Sequence, residues 1–489
     1  MKAKANFSRW FAKGLLITVL LLFGGSLKAA PVVETSQSRF QRDQVQSQLL
    51  PIESRAAMLV EPETGSTLYE YNADLRIAPA SLTKILTLYI VFEALEKEAI
   101  HLDDEVYISH RAWKTGGSQM FLEVGHKVPL EELIKGIAAV SGNDACVAVA
   151  EHIAGTVESF VALMNQKAQE LGMTQSHFAN PHGLPDPQEY STARDLARLS
   201  IVYITRFPQA LVYHSMREFT YNNIVQYNRN RLLSKDPSVD GLKTGFVSAG
   251  GYHLIATAKR DDMRLIAVVL GAAKPSIREQ EAMQLLNYGF RSYVLIRPVN
   301  SSEIAGTLKV WKGEKDWVPV YPLESKIMLL VRGEEKKIKP IVDMVSELVA
   351  PVRAGQIVGQ INLYKGDEPL GTVPLIAGED IPEAGFFKRT WHSIKRFMAG
   401  ASEKPESLVI TDQVKDLSKS KAEKTKLDES TEGVKKWSKW LPVEYTNISN
   451  LAKIAGVLLG AFIILVIVTK IIARRRRRST FPRRVIRRR

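Results

Sequence analysis

Residues 252–270 read YHLIATAKRDDMRLIAVVL, two apolar runs on either side of a charged turn. Tyr252–Lys259 and Met263–Leu270 are strand-like, and Arg260-Asp261-Asp262 between them makes the pair a hairpin. A second hairpin is expected near the start of the same region, from Ala57–Val60 and Leu68–Tyr71, with Glu63-Thr64-Gly65 at its turn. Longer helical patterns lie between the two hairpins. One of them, Leu82–Leu95, is apolar almost all round, as a helix buried in the middle of a domain is. Strands at both ends with helices between them predict an α+β domain with an antiparallel sheet over residues 50–295.

Beyond this domain, residues 298–385 change character. Short β-type runs (Leu308–Trp311, Ile327–Val331, Gln360–Tyr364) alternate with Gly, Pro and charged turns, which predicts a small, separate β-rich domain. Residues 386–450 then read as an amphipathic helix and a charged linker. Phe387, Trp391, Ile394 and Met398 recur at helical spacing among Lys388, Arg389, His392, Lys395 and Arg396. Two readings stand for this helix: it lies on a membrane surface, or it packs against the β-rich domain. Residues 400–436, rich in Lys, Glu, Ser and Asp, carry the composition of a disordered linker.

The two ends of the chain speak to compartment. Lys2, Lys4, Arg9 and Lys13 precede the apolar run Leu15–Phe23, and small residues follow up to Ala30. That is the layout of a secretory signal over residues 1–30, although its cleavage site is imperfect and an uncleaved N-terminal anchor is the alternative. At the other end Ile454–Thr469 has no ionisable group, and a membrane-spanning helix is expected over residues 451–473. Trp437 and Trp440 stand before it as interfacial aromatics do, and residues 474–489 follow with ten arginines. Positive charge stays on the cytoplasmic side, so the tail is inside and the folded body outside the cytoplasmic membrane, on its periplasmic face.

The formal net charge of +14 is accounted for by those ends: residues 1–30 carry five basic side chains, the tail ten, neither any acid, which leaves −1 for everything between. An electrically balanced body disfavours a nucleic-acid partner. The one cysteine, Cys146, excludes an intrachain disulfide framework and reads as a small buried apolar residue.

Three short motifs carry chemistry. In Ser81-Leu82-Thr83-Lys84, a helix beginning at Ser81 would set Ser81 and Lys84 one turn apart on the same face. A serine hydroxyl needs a base within reach, and a lysine can serve when burial and neighbouring positive charge keep it neutral. Ser418 and Lys421 repeat the spacing in the charged linker, where nothing would desolvate the lysine. Ser141-Gly142-Asn143 offers a hydroxyl to relay a proton and an amide to hold a peptide; the same residues also suit a helix N-cap. Lys243-Thr244-Gly245 places an ammonium and a hydroxyl at a strand edge, a carboxylate-binding pair, with a glycine that lets substrate approach the backbone. Its copy, Lys114-Thr115-Gly116, precedes Ser141 and leads into Gly117-Ser118 without a strand-type run, so it reads as a loop.

In this order the three motifs resemble those of the low-molecular-mass penicillin-binding proteins, the serine D-alanyl-D-alanine carboxypeptidases. The wider stretches Ala78–Lys84, Ser141–Cys146, Asn180-Pro181-His182-Gly183-Leu184, Tyr190–Asp195 and Asp240–Gly245 carry the same resemblance, which covers about residues 50–385. It implies a β-lactamase/transpeptidase-like domain with a helical subdomain. It also implies roles: Ser81 as the acylated nucleophile, Lys84 as its base, Ser141 as the proton shuttle, and Asn143 on the substrate amide. Lys243 and Thr244 would meet the terminal carboxylate beside Gly245, and backbone N–H groups of Ser81 and Phe246 would form the oxyanion hole. The partners implied are peptidoglycan stem peptides and, as acylating inhibitors, β-lactams; no cofactor or metal is implied.

Departures are local. Val247 and then Ser248 stand where the family often has a threonine two places after the glycine, which bears on carboxylate recognition. The glutamate context of class A β-lactamases is missing, Glu158 and Glu170 having the wrong neighbours, so fast deacylation is not expected. An endopeptidase acting on crosslinks would use the same site. A non-catalytic wall-binding scaffold would not need a lysine beside its serine. His182 and Asp195 read as structural residues of a turn and a helix start.

Overall fold

The computed structural model describes residues 50–398. Along the chain, β1 (Ala56–Glu61) and β2 (Ser66–Tyr71) form the first hairpin, and a 3₁₀ turn (Ala80–Thr83) leads into α1 (Lys84–Glu96). The small ribbon β3 (Glu105–Tyr107) and β4 (Lys127–Pro129) precedes α2 (Leu130–Lys135), α3 (Asn143–Ala154), α4 (Val157–Glu170) and α5 (Ala193–Arg206). The hairpin β5 (Glu218–Tyr221) and β6 (Ile224–Tyr227) leads to β7 (Val239–Val247), β8 (Gly251–Arg260) and β9 (Met263–Ala272), and α6 (Pro275–Ser292) closes the domain. The main sheet is antiparallel throughout, in the order β2-β1-β9-β8-β7. Both hairpins expected from the sequence form, and β1 joins them by pairing with β9.

The apolar runs are continuous because the sheet is covered on both faces. Ala56, Met58 and Val60 of β1 and Ile266, Val268 and Leu270 of β9 point into a core shared with α1, α3, α4 and α5. Ala57 and Leu59, with Leu265, Ala267 and Val269, point the other way, onto Ala282, Leu285 and Leu286 of α6. Alternate residues therefore serve two cores, which is the period-two pleat read through two apolar faces. Every residue of α1 from Lys84 to Glu93 is buried, as its all-round apolar pattern predicts. It is the axis of the helical subdomain.

Residues beyond α6 build the β-rich domain. β10 (Tyr293–Val299), β11 (Gly306–Trp311), β12 (Trp317–Pro322), β13 (Lys326–Val331), β14 (Ile338–Met344), β15 (Glu347–Val349), β16 (Ile357–Lys365) and β17 (Glu368–Ala377) follow one another. Six of them form a sheet in the order β14-β16-β17-β12-β11-β15 over a core of its own, while β10 pairs with β13. That ribbon is the joint: Leu295 and Leu329 pack on the α6 side of the first domain, and Arg297 holds Glu63 of the β1–β2 turn through two contacts of 2.6 Å.

The amphipathic segment is helical, α7 (Phe386–Met398), and one side of it is tied to the β-rich domain. His392 Nδ1 accepts the Lys312 N–H at 2.9 Å, its ring stands edge-on to Trp311, and Lys388 donates to the Glu314 carbonyl at 2.8 Å. Phe386, Phe387, Trp391 and Ile394 remain exposed. Packing on the β-rich domain and an outward apolar surface thus coexist on one helix. No single helix among the described residues is long and apolar enough to cross a membrane. The expected signal, span and arginine tail lie outside the described residues.

Candidate active site

Ser81 sits in the 3₁₀ turn that precedes α1, not in the α-helix itself as the sequence suggests. The tighter turn places residues three apart almost in line, so the three-residue spacing of Ser81 and Lys84 becomes a direct contact. Lys84 Nζ donates to Ser81 Oγ at 3.0 Å, to Asn143 Oδ1 at 2.7 Å and to the His182 carbonyl at 2.5 Å. The side chain is fully buried. Burial pulls its pKa down to about 8, against the opposing pull of Cys146 and Glu189. Lys84 is therefore an amine that can be neutral at mildly alkaline pH and touches a serine hydroxyl.

Ser141 and Asn143 arrive from the junction of two helices. α2 runs on through a π-helical turn (Gly136–Val140), and Ser141 ends it in the left-handed region at φ 67°. A non-glycine residue in that conformation is held there by its surroundings. Neither side chain caps α3: the N-cap is Gly142, and Asp144 accepts the Met120 and Leu122 N–H groups instead. The capping reading is thus set aside by geometry. Ser141 Oγ is buried and makes no hydrogen bond to protein among the described residues. Asn143 links Lys84 to the preceding loop, its Nδ2 donating to the Gly116 carbonyl at 2.7 Å.

β7 supplies the third wall. Lys243 and Thr244 are buried, and Phe246 is about half exposed, stacked on Tyr252 with ring centroids 4.3 Å apart. Burial first, then the charges of Lys84 and Arg229, hold the Lys243 ammonium well below its ordinary range. Gly245 is needed for clearance: a Cβ there would stand 3.1 Å from the Pro79 carbonyl and 3.3 Å from Ala80 Cβ. Gly183 is more demanding, at φ +81° with a Cβ that would fall 1.9 Å from the Ala80 carbonyl. The strand and the Asn180–Leu184 loop thus clasp the serine turn from two sides.

A cavity of about 570 Å³ opens between these walls, lined by Ser81, Ser141, Asn143, Thr244, Gly245 and Phe246. Lys84 and Lys243 stand behind its surface. Val247 and Ser248 line it too. Glu158 and Glu170 do not; they pair with Arg111 and Lys167. His182 lines the cavity with a ring that burial holds neutral, its pKa near about 3, while Asp195 accepts from Gln175 and Ser176 as a loop support.

Three cavity groups escaped the sequence reading. Arg229 and Arg278 face it, and Arg278 Nη1 donates to the Gly245 and His253 carbonyls at 3.2 and 3.1 Å. Gly117 and Ser118 complete the mouth. No local motif announces the arginines, because the segment after β6 and α6 reach the site only through the fold. The loop could have been found by noting that two adjacent glycines follow Lys114-Thr115.

A serine and a buried lysine in contact at the edge of a five-stranded antiparallel sheet, with an α-helical subdomain opposite, define a serine acyl-transfer enzyme of transpeptidase-like fold. Comparison with known proteins narrows this class. Residues 42–274 match the D-alanyl-D-alanine carboxypeptidase family model, and residues 293–383 match the C-terminal domain of penicillin-binding protein 5. The D-alanyl-D-alanine carboxypeptidase DacC of Escherichia coli is 42% identical over 348 residues, 70% of this chain and 87% of the relative. DacF of Bacillus subtilis is 39% identical over 354 residues, 71% of this chain and 91% of the relative. The crystal structure of penicillin binding protein 5 from Haemophilus influenzae, 35% identical, covers 68% of this chain and 98% of its own, with a TM-score of 0.57. The chain belongs to the serine-type D-alanyl-D-alanine carboxypeptidases, the low-molecular-mass penicillin-binding proteins with a β-rich C-terminal domain.

Proposed function

We propose that the reaction runs through Ser81. The observation that carries this is the 3.0 Å contact between Ser81 Oγ and a fully buried Lys84 Nζ whose pKa burial brings to about 8. Neutral Lys84 takes the hydroxyl proton as Oγ attacks the carbonyl of the penultimate D-alanine of a stem pentapeptide. Backbone N–H groups of Ser81 and Phe246 receive the oxyanion, a contribution worth about 10²–10³ in rate per donor. The C–N bond then breaks, and Ser141 passes a proton to the departing D-alanine amine. Water hydrolyses the acyl-enzyme and restores Ser81.

Lys243 and Thr244 receive the terminal carboxylate. Asn143 Nδ2, which gives one proton to Gly116, offers the other to the substrate amide. β-Lactams acylate Ser81 by the same attack, and among the described residues no glutamate lines the cavity to hasten their release.

We assign residues 50–295 to the catalytic domain, 298–385 to the β-rich domain, 386–450 to an amphipathic helix and charged linker, and the remaining segments to a signal (1–30), a span (451–473) and a cytoplasmic tail (474–489). Hydropathy and the two basic ends support that partition, with the catalytic domain on the periplasmic face. The exposed Phe386, Phe387 and Trp391 beside Lys388 and Arg389 suit contact of α7 with the same membrane.

The deciding experiment is D-alanine release from a D-Ala-D-Ala pentapeptide by the full-length protein and by Ser81→Ala. Release by the wild type alone assigns the nucleophile. A folded wild type labelled by fluorescent penicillin at Ser81 that releases nothing would move the substrate to crosslinked peptides.

A further inference from the structure

Glu189 is buried, with 5% of its surface exposed, and does not line the cavity. Its Oε1 accepts from Thr83 Oγ1 at 2.5 Å, and its Oε2 from Asn180 Nδ2 at 2.9 Å. Each partner leads directly to the site. Thr83 stands between Ser81 and Lys84 in the 3₁₀ turn and immediately precedes the base. Asn180 organises the opposite loop: its Nδ2 also donates to the Leu184 carbonyl at 3.0 Å, and its Oδ1 accepts the Gly183 N–H at 2.6 Å and the His182 N–H at 3.3 Å. The carbonyl of His182 is the one that Lys84 Nζ meets at 2.5 Å.

We propose that Glu189 is a positioning residue for acyl transfer: its carboxylate clamps the turn that carries Ser81 and Lys84 to the loop that presents the acceptor of Lys84. The inference rests on the Ser81–Lys84 reading above. The clamp also carries charge. Burial lifts the Glu189 carboxyl to about 7; Lys84 on α1 opposes that rise, and Asp186 in its own loop adds to it. Reciprocally, the Glu189 charge favours the ammonium form of Lys84.

Glutamate, glutamine and alanine separate the two contributions. A glutamine keeps both links by accepting from Asn180 and donating its Nε2–H to the Thr83 hydroxyl, but removes the charge. An alanine removes both. Lys84 must be neutral to accept the Ser81 proton, so kcat/KM rises with pH through the Lys84 pKa. Loss of a nearby anion lowers that pKa, and the rising limb moves to lower pH.

The test uses the full-length protein in detergent, with the rate of fluorescent penicillin acylation and D-alanine release followed across the pH range. Glu189→Gln should retain its plateau rate within about threefold, with the rising limb displaced by about half a pH unit or more toward acid. Glu189→Ala should acylate about tenfold to a hundredfold more slowly, through kcat more than KM, because the base and its serine lose registry.

A Glu189→Ala protein that melts like the wild type and acylates at its rate would overturn the clamp. A Glu189→Gln limb coincident with that of the wild type would overturn the charge contribution, and that variant decides alone if the alanine protein does not fold. A wild type that penicillin does not label at Ser81 would overturn the underlying mechanism, and the inference with it. Labelling with unchanged variants would overturn only the part played by Glu189.

Discussion

The chain contains the triplet Lys-Thr-Gly twice, and the two copies have become different things. Lys243-Thr244-Gly245 lies within β7, with all three residues buried against the serine turn. Lys114-Thr115-Gly116 ends a short helix (His110–Lys114) and runs out into an exposed loop. Identical residue types give a desolvated cation and hydroxyl in one place and a solvated face in the other. The sheet around β7 makes that difference, not the triplet. Yet the second copy is not remote: the Gly116 carbonyl receives Asn143 Nδ2, and Gly117 and Ser118 line the cavity. One copy contributes side chains to the site, the other only backbone and space.

The comparison breaks most sharply at the lysines. Lys243→Gln should cost about 10²–10³ in kcat/KM for the pentapeptide, the scale of losing one preorganised electrostatic contact. Lys114→Gln should change it by less than about twofold, because its exposed charge is screened by solvent and salt. Steady-state D-alanine release by the two variants measures both. Equal losses would show that the electrostatic asymmetry drawn from burial is wrong.

Protonation gives the next largest effect. Lys84, whose pKa burial lowers to about 8, acts as a base only when neutral. Below that value kcat/KM should fall about tenfold per pH unit, and above it level off. Burial also holds the Lys243 ammonium well below its ordinary range, so carboxylate binding weakens where that ammonium is lost. A pH profile of acylation by fluorescent penicillin, whose own carboxylate stays attached, checks the rising limb. A rising limb at ordinary carboxylate pH would remove Lys84 as the base.

Backbone space comes third. A Cβ on Gly117, at φ +84°, would fall 2.5 Å from Asn143 Nδ2, whereas one on Gly116 meets nothing within 4 Å. Gly117→Ala should therefore slow acylation by about tenfold by displacing Asn143 from Lys84, and Gly116→Ala should leave it within about twofold. The contrast of neighbouring glycines tests whether the second triplet's loop belongs to the site.

Much of this was legible in the residues. Apolar runs about short turns told of two hairpins in an antiparallel sheet, and the all-round pattern of Leu82–Leu95 told of a central helix. The order of the motifs told which lysine and serine meet. What stayed hidden has a physical reason in each case. A 3₁₀ turn and an α-helix start share the Ser81–Lys84 spacing. The left-handed backbone at Ser141 is imposed by its surroundings rather than by a glycine. Arg229, Arg278 and Glu189 reach the site through contacts between segments far apart in sequence, which no local pattern records.

The smallest expected effect lies just beyond the first triplet, at Val247. Its side chain is 7% exposed and lines the cavity that Thr244 also lines. Valine and threonine have nearly the same shape, so Val247→Thr adds a hydroxyl without changing volume, although that hydroxyl must find a partner. If the substrate carboxylate reaches Val247, the new O–H supplies one hydrogen bond to a charged group. KM for the pentapeptide should then fall by about three- to tenfold with kcat little changed, as an added contact of about 1 kcal/mol made equally in ground and transition states requires. If the carboxylate is held by Thr244 and Lys243 alone, the hydroxyl gains no partner from substrate and KM stays where it is. A fall in KM would extend the carboxylate site along β7 past the triplet. An unchanged KM would confine it to Lys243 and Thr244, sharpening the contrast with the copy at Lys114.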